Sequence, residues 1–159
     1  MKKLLSLLLV AVMSFMLLTG CSDPVYDDLL NFLNVEMTEV TANYEKITAE
    51  VGTWENVEDD AAIAKSISNV LLPLVDGSLA KLNDITPETE EVKEIKAKYV
   101  KVMDAYKKGF EALHEGCETQ DEATINAGTE SIGKAVELLD EYNKALEELA
   151  KEFGAEVEY

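Results

Sequence analysis

Arginine is absent from this chain, and histidine and tryptophan occur once each, as His114 and Trp54. Proline occurs three times and cysteine twice. Each scarcity excludes something. Without arginine the chain lacks the side chain that grips phosphate through two parallel hydrogen bonds. Its basic residues are all lysines, outnumbered by 32 acids, and the formal net charge is −18. Such a surface repels nucleic acid and anionic lipid, so nucleic acid is excluded as a partner. A single imidazole rules out a di-iron site built from two Glu-x-x-His pairs. There is no Gly-x-Ser-x-Gly and no glycine-rich loop after a strand, so neither a serine nucleophile nor a phosphate cradle is indicated. With no catalytic constellation and no cofactor implied, an enzyme is not expected.

What is present begins with the first 21 residues. Lys2 and Lys3 form a charged start, Leu4 to Leu18 an apolar run, and Thr19-Gly20 a pair of small residues before Cys21. The run is about 15 residues, short of the roughly 20 that a spanning helix needs. The tetrad Leu18-Thr19-Gly20-Cys21 resembles the lipobox of bacterial lipoproteins. The resemblance implies cleavage after Gly20 and a diacylglyceryl group on the Cys21 sulfur. It implies a membrane partner through that anchor, on the extracytoplasmic face of a cell membrane or outer membrane. Ser22 is not the Asp that, in enteric lipoproteins, resembles an inner-membrane retention signal. Losing residues 1–20 removes Lys2 and Lys3, so the formal charge of −18 becomes −20. With Cys21 carrying lipid, Cys117 stands alone, and stability must come from packing rather than a disulfide.

The remaining chain, 21–159, reads as one acidic helical domain. Asp23-Pro24 is a helix start, and Tyr26, Leu30, Leu33, Met37, Val40, Tyr44, Ile47 and Val51 form a heptad seam that Gly52 ends. A second helix over about 59–84 has Ile63, Ile67, Val70, Leu74, Ser78 and Leu82 on one side, with Ile85 beyond. Pro73 lies inside it and predicts a kink. Thr86-Pro87-Glu88 is expected to open a third helix, 87–117, with the seam Val92, Ile95, Tyr99, Val102 or Met103, Tyr106, Phe110, Leu113 and Cys117. A fourth, 121–153, follows Asp121 along Ile125, Gly128, Ile132, Ala135, Leu139, Tyr142, Leu146, Leu149 and Phe153. Short joints put neighbours antiparallel. The expected fold is therefore all-α, an antiparallel up-down-up-down four-helix bundle. A three-helix bundle with a broken second helix is the alternative.

Three places are candidate sites. Gly109 and Gly128 fall on facing seams, where they bring two helices close together or, with Tyr44, Tyr106 and Phe110, leave a small ligand pocket. The 52–60 joint lies about 40 Å along helix one from the tether. Its Trp54 either caps the core or, with Glu55, Glu58, Asp59 and Asp60, forms a contact loop. His114 and Cys117, with Glu111 or Glu118, are a weak metal candidate, since ligands from one short stretch must converge. Lys93, Lys96, Lys98, Lys101, Lys107 and Lys108 all lie in the third helix. They suit pairing with acidic neighbours, and the acidic helices suit an envelope protein or a cationic ligand. The expected function is binding, interaction or structural support in the cell envelope, with small-molecule or metal-ion binding as the alternative.

Overall fold

The computed structural model describes residues 23–57, 59–155 and 157. The signal segment with Gly20 and Cys21, and Glu58 of the joint, lie outside the described residues. Those that are described are all-α and contain no strand.

Helix α1 (Pro24–Asn31) opens as its sequence dictates. The Asp23 carboxylate accepts from the Val25 N–H at 2.9 Å, and Pro24 takes the first helical position, where its missing N–H costs nothing. The heptad seam then gives way. A π turn, Phe32–Glu36, intervenes before α2 (Thr38–Gly52), and the Met37 N–H donates to the Phe32 carbonyl at 2.9 Å. Such a turn holds one residue more than an α turn. The buried face therefore steps by five from Phe32 to Met37, and Leu29 and Phe32 replace the expected Leu30 and Leu33, which are only partly buried. Beyond Met37 the expected Val40, Tyr44, Ile47 and Val51 are all buried. Gly52 is not a left-handed stop; it ends α2 in right-handed helical geometry and leads into a 3₁₀ turn, Thr53–Asn56.

The second run has the same interruption. Asp59 caps α3 (Asp60–Ser66) through the Ala61 N–H at 3.0 Å. A π turn over Ile67–Leu71 precedes α4 (Leu72–Asp84), in which Pro73 is the second residue. Pro73 cannot donate to Asn69, and its ring crowds that carbonyl. Opening the preceding turn, with the Leu72 N–H reaching back to Ile67, accommodates both. The buried side becomes Ile63, Ile67, Leu71, Val75, Ser78 and Leu82; the expected Val70 and Leu74 are half-buried. Ser78 satisfies its buried hydroxyl on the Leu74 carbonyl at 2.9 Å.

Helix α5 (Glu90–Thr119) starts later than expected, because Thr89, and not Thr86, is its N-cap; Thr86-Pro87-Glu88 belongs to the joint. Every expected seam residue of α5 is buried, both Val102 and Met103 among them. Gln120 turns the chain with φ 55°, and Asp121 caps α6 (Glu122–Glu152) through the Ala123 N–H at 3.1 Å. Gly154, φ 68°, ends it. Helix α5 is central: α6 lies along it, and α1, α3 and α4 also pack on it. Helix α2 packs on α4. Tyr26 meets Phe153 with ring centroids 5.4 Å apart, which brings the start of α1 to the end of α6.

Candidate functional site: a tyrosine-lined cleft

The facing glycines mark close packing. A Cβ on Gly109 would stand 2.6 Å from Ile132 Cγ1 and 3.1 Å from the Gly128 carbonyl oxygen. One on Gly128 would stand 2.8 Å from the Leu113 nitrogen and 2.9 Å from the Gly109 oxygen. Two backbones in contact leave no room for a ligand, so the expected pocket at Gly109 and Gly128 is replaced by a helix–helix crossing. Gly116 does the same against Ile125. Phe110 stacks on Tyr106 at 5.9 Å inside the core.

The open space lies elsewhere, and Tyr44 alone of the expected pocket residues borders it. Between the first helical run and the α5–α6 pair is a cleft of about 340 Å³. Leu33 and Asn34 of the π turn, with Met37, Thr38, Thr41, Ala42, Tyr44 and Glu45, form one wall. Tyr99 of α5 and Leu139, Tyr142 and Asn143 of α6 form the other. Tyr99 and Tyr142 meet edge-on, centroids 4.9 Å apart. The Tyr44 hydroxyl stands 3.4 Å from that of Tyr106 behind it. Burial pushes the Tyr44 phenol above its ordinary pKa, with Tyr106 and Thr48 hydrogen bonds opposing. Burial, then the nearby Tyr142 and Tyr44, pushes Tyr99 well above the ordinary range. These phenols are neutral at physiological pH. Asn34, Thr38 and Glu45 are exposed at the mouth, and Met37, Tyr44, Tyr99, Leu139 and Tyr142 are buried at the floor.

Of the other sequence candidates, Trp54 turns inward. It is 7% exposed, and its Nε1–H donates to Ser66 Oγ at 3.0 Å, which in turn donates to Glu50 Oε1 at 2.6 Å. The indole therefore caps the core and is no exposed tip; Glu55 and Asp59 stay exposed around it and Asp60 is half-buried. His114 is partly buried, its Nε2 3.7 Å from Glu118 Oε1, and Glu111 faces solvent. Cys117 is buried, and burial, then the charge of Asp60, raises its thiol pKa. Asp59, Asp60, Lys65, His114, Cys117 and Glu118 border a more open depression at this end. Among the described residues no three His, Cys, Asp or Glu side chains converge as a metal site, so the His114, Cys117 and Glu111 arrangement does not assemble. Of the α5 lysines, Lys107 pairs across helices with Asp76 of α4 at 2.6 Å, whereas Lys93 pairs within α5 with Glu90 at 2.7 Å and Lys96 donates to the Ile85 carbonyl at 2.7 Å.

Periodicity marked Met37, Tyr44, Tyr99, Leu139 and Tyr142 as core positions but not as cleft walls. Nothing in a seam tells whether the facing helix closes over it. Asn34, Thr38, Thr41 and Ala42, small or polar beside the seam, were the one available hint.

Fold and cleft define an all-α protein with a side groove floored by tyrosines. The chain belongs to the family described as Uncharacterised lipoprotein PM1805, whose family model matches residues 26–154. It is accordingly a lipoprotein of the bacterial envelope, held at a membrane. No curated protein and no solved structure matches it. Among the described residues no helix is long and apolar enough to cross a membrane.

Proposed function

We propose that this lipoprotein is a binding protein, anchored through Cys21 on the extracytoplasmic face, whose ligand site is the cleft between the first helical run and α6. The observation that carries this reading is the cleft itself: an apolar, aromatic floor with a polar mouth, at the small end of the range for ligand sites. The reading takes the helices as four antiparallel rods, up-down-up-down. Helical backbone continuing through both π turns supports it, since α1–α2 and α3–α4 then each act as one rod. Tyr26 against Phe153 and Asp28 against Thr89 at one end support it too, with Asp59 and His114 bordering one depression at the other.

The anchor then sets the height. Asp23 stands two residues from Cys21, and the wall from Leu33 to Glu45 lies about 15–33 Å along the rod at 1.5 Å per residue. The cleft opens to the aqueous space and not into the bilayer. The reading assigns no catalytic step, because no histidine, cysteine or lysine lines the cleft among the described residues.

The test is a thermal-shift screen of the full-length protein in nanodiscs against small molecules extracted from the envelope. A stabilising compound whose binding perturbs the amides of Thr41, Ala42 and Asn143 supports the reading. Stabilisers that perturb only residues remote from the cleft would sink it. Fractionation of Cys21→Ala tests the anchor: release from membranes is expected, and an unprocessed variant retained in them would mean a spanning segment instead.

A further inference from the structure

We infer that the cleft takes a small organic cation, an ammonium group carried on an apolar body. The inference rests on the cleft being the ligand site and names the chemistry that would fill it. The floor is apolar and aromatic: Met37 and Leu139 with the rings of Tyr44, Tyr99 and Tyr142. Aromatic rings attract a cation through their quadrupole, and the attraction strengthens when water is excluded. A polarizable thioether and a leucine suit the apolar body beside it.

Charge decides between ligands of similar shape. Glu45 is the one acidic or basic side chain among the described residues that line the cleft. It is exposed at the mouth, and no lysine among the described residues pairs with it. An anion would meet this carboxylate with no cation to offset it. A neutral ligand would leave the carboxylate unused. The wider field acts in the same direction, since a chain of net charge −18 raises the local concentration of small cations. Glu45 at the rim and the rings at the floor thus match a ligand whose positive end lies against tyrosine faces within reach of the carboxylate.

The probes are phenyltrimethylammonium, its neutral carbon isostere tert-butylbenzene, and benzenesulfonate. Each is titrated into the full-length protein in nanodiscs, with empty nanodiscs correcting for lipid partition, and the Thr41 and Ala42 amides report the site. The cation is expected to bind about tenfold more tightly than tert-butylbenzene, with benzenesulfonate causing no shift. Glu45→Gln, an exposed change that leaves the core intact, should weaken the cation about threefold and leave tert-butylbenzene unaffected. Equal or tighter binding of tert-butylbenzene at the same amides would overturn the cation inference while supporting the cleft as a ligand site. If none of the probes perturbs those amides, the cation inference and the cleft reading both fall.

Discussion

One carboxylate on the first helix caps the start of another: Asp28 Oδ2 accepts from the Thr89 N–H at 2.8 Å and from the Thr89 hydroxyl at 2.6 Å. Thr89 is the N-cap of α5 and makes no side-chain cap of its own. Asp28 stands in for it across 61 residues of sequence, with its negative charge at the positive end of the α5 dipole.

Burial alone would raise the Asp28 pKa. Hydrogen bonds from the Thr89 side chain and the Thr89 and Glu88 backbone, with Lys93 nearby, outweigh it and leave the pKa below the usual value. The folded state therefore binds the Asp28 proton more weakly than the unfolded chain. The stabilisation is fully present above the unfolded pKa of about 4, and it is lost as pH falls through the folded value. Asp28→Ala is expected to cost about 2 kcal/mol at pH 7 in urea unfolding. The gap between variant and parent should shrink steadily below pH 4. A gap that stays constant down to pH 2 would contradict the charged cap.

The α5–α6 crossing separates two glycines of the same helix. Gly128→Ala pushes a methyl to 2.8 Å from the Leu113 nitrogen, and backbone cannot move aside cheaply. Overpacking should outweigh the gain in helix propensity, for a net loss of about 1–3 kcal/mol. Gly133→Ala meets nothing within 4 Å in the same helix and should gain about 0.5–1 kcal/mol. Chemical denaturation of the two variants checks both signs.

Trp54, the only tryptophan, reports on the joint without ambiguity. Its fluorescence should be blue-shifted and protected from iodide in the native protein, and both properties should vanish on unfolding. Trp54→Phe removes the donor to Ser66 and should cost about 1 kcal/mol. Native emission as red and as quenchable as in urea would place the indole outside the core.

Cys117 should be chemically quiet. Burial and the charge of Asp60 both disfavour its thiolate. A disulfide reagent at neutral pH should label it more than about tenfold slower in the native state than in denaturant. Comparable rates would mean that this end of α5 opens readily.

Helices α5 and α6 were legible almost residue by residue, because apolar side chains spaced three and four apart leave one register to bury. Asp23 was legible as a helix start and Asp121 as the place where the last helix begins, since capping is a local contact; that Asp121 is itself the cap was seen only in the structure. The first two runs were harder for a specific reason. Leu29-Leu30 and Phe32-Leu33 are adjacent apolar pairs, so two registers offer comparable burial, and a seam of constant period selects the wrong member of each pair. The step of five needed to choose Leu29 and Phe32 exists only once a π turn is allowed. Pro73 signalled trouble in the second run, but it could not show that the turn before it would open.

By itself, then, the sequence determined an all-α chain, its acid excess and the resemblance to a lipoprotein, since periodicity, composition and a short motif are properties of neighbouring residues. Tertiary structure alone decided that Gly109 and Gly128 close a crossing, that Trp54 turns inward, that Asp28 caps a distant helix and that a cleft remains beside Tyr44. Each of these depends on how far apart two helices sit, and that distance is set by side chains packing from several elements at once.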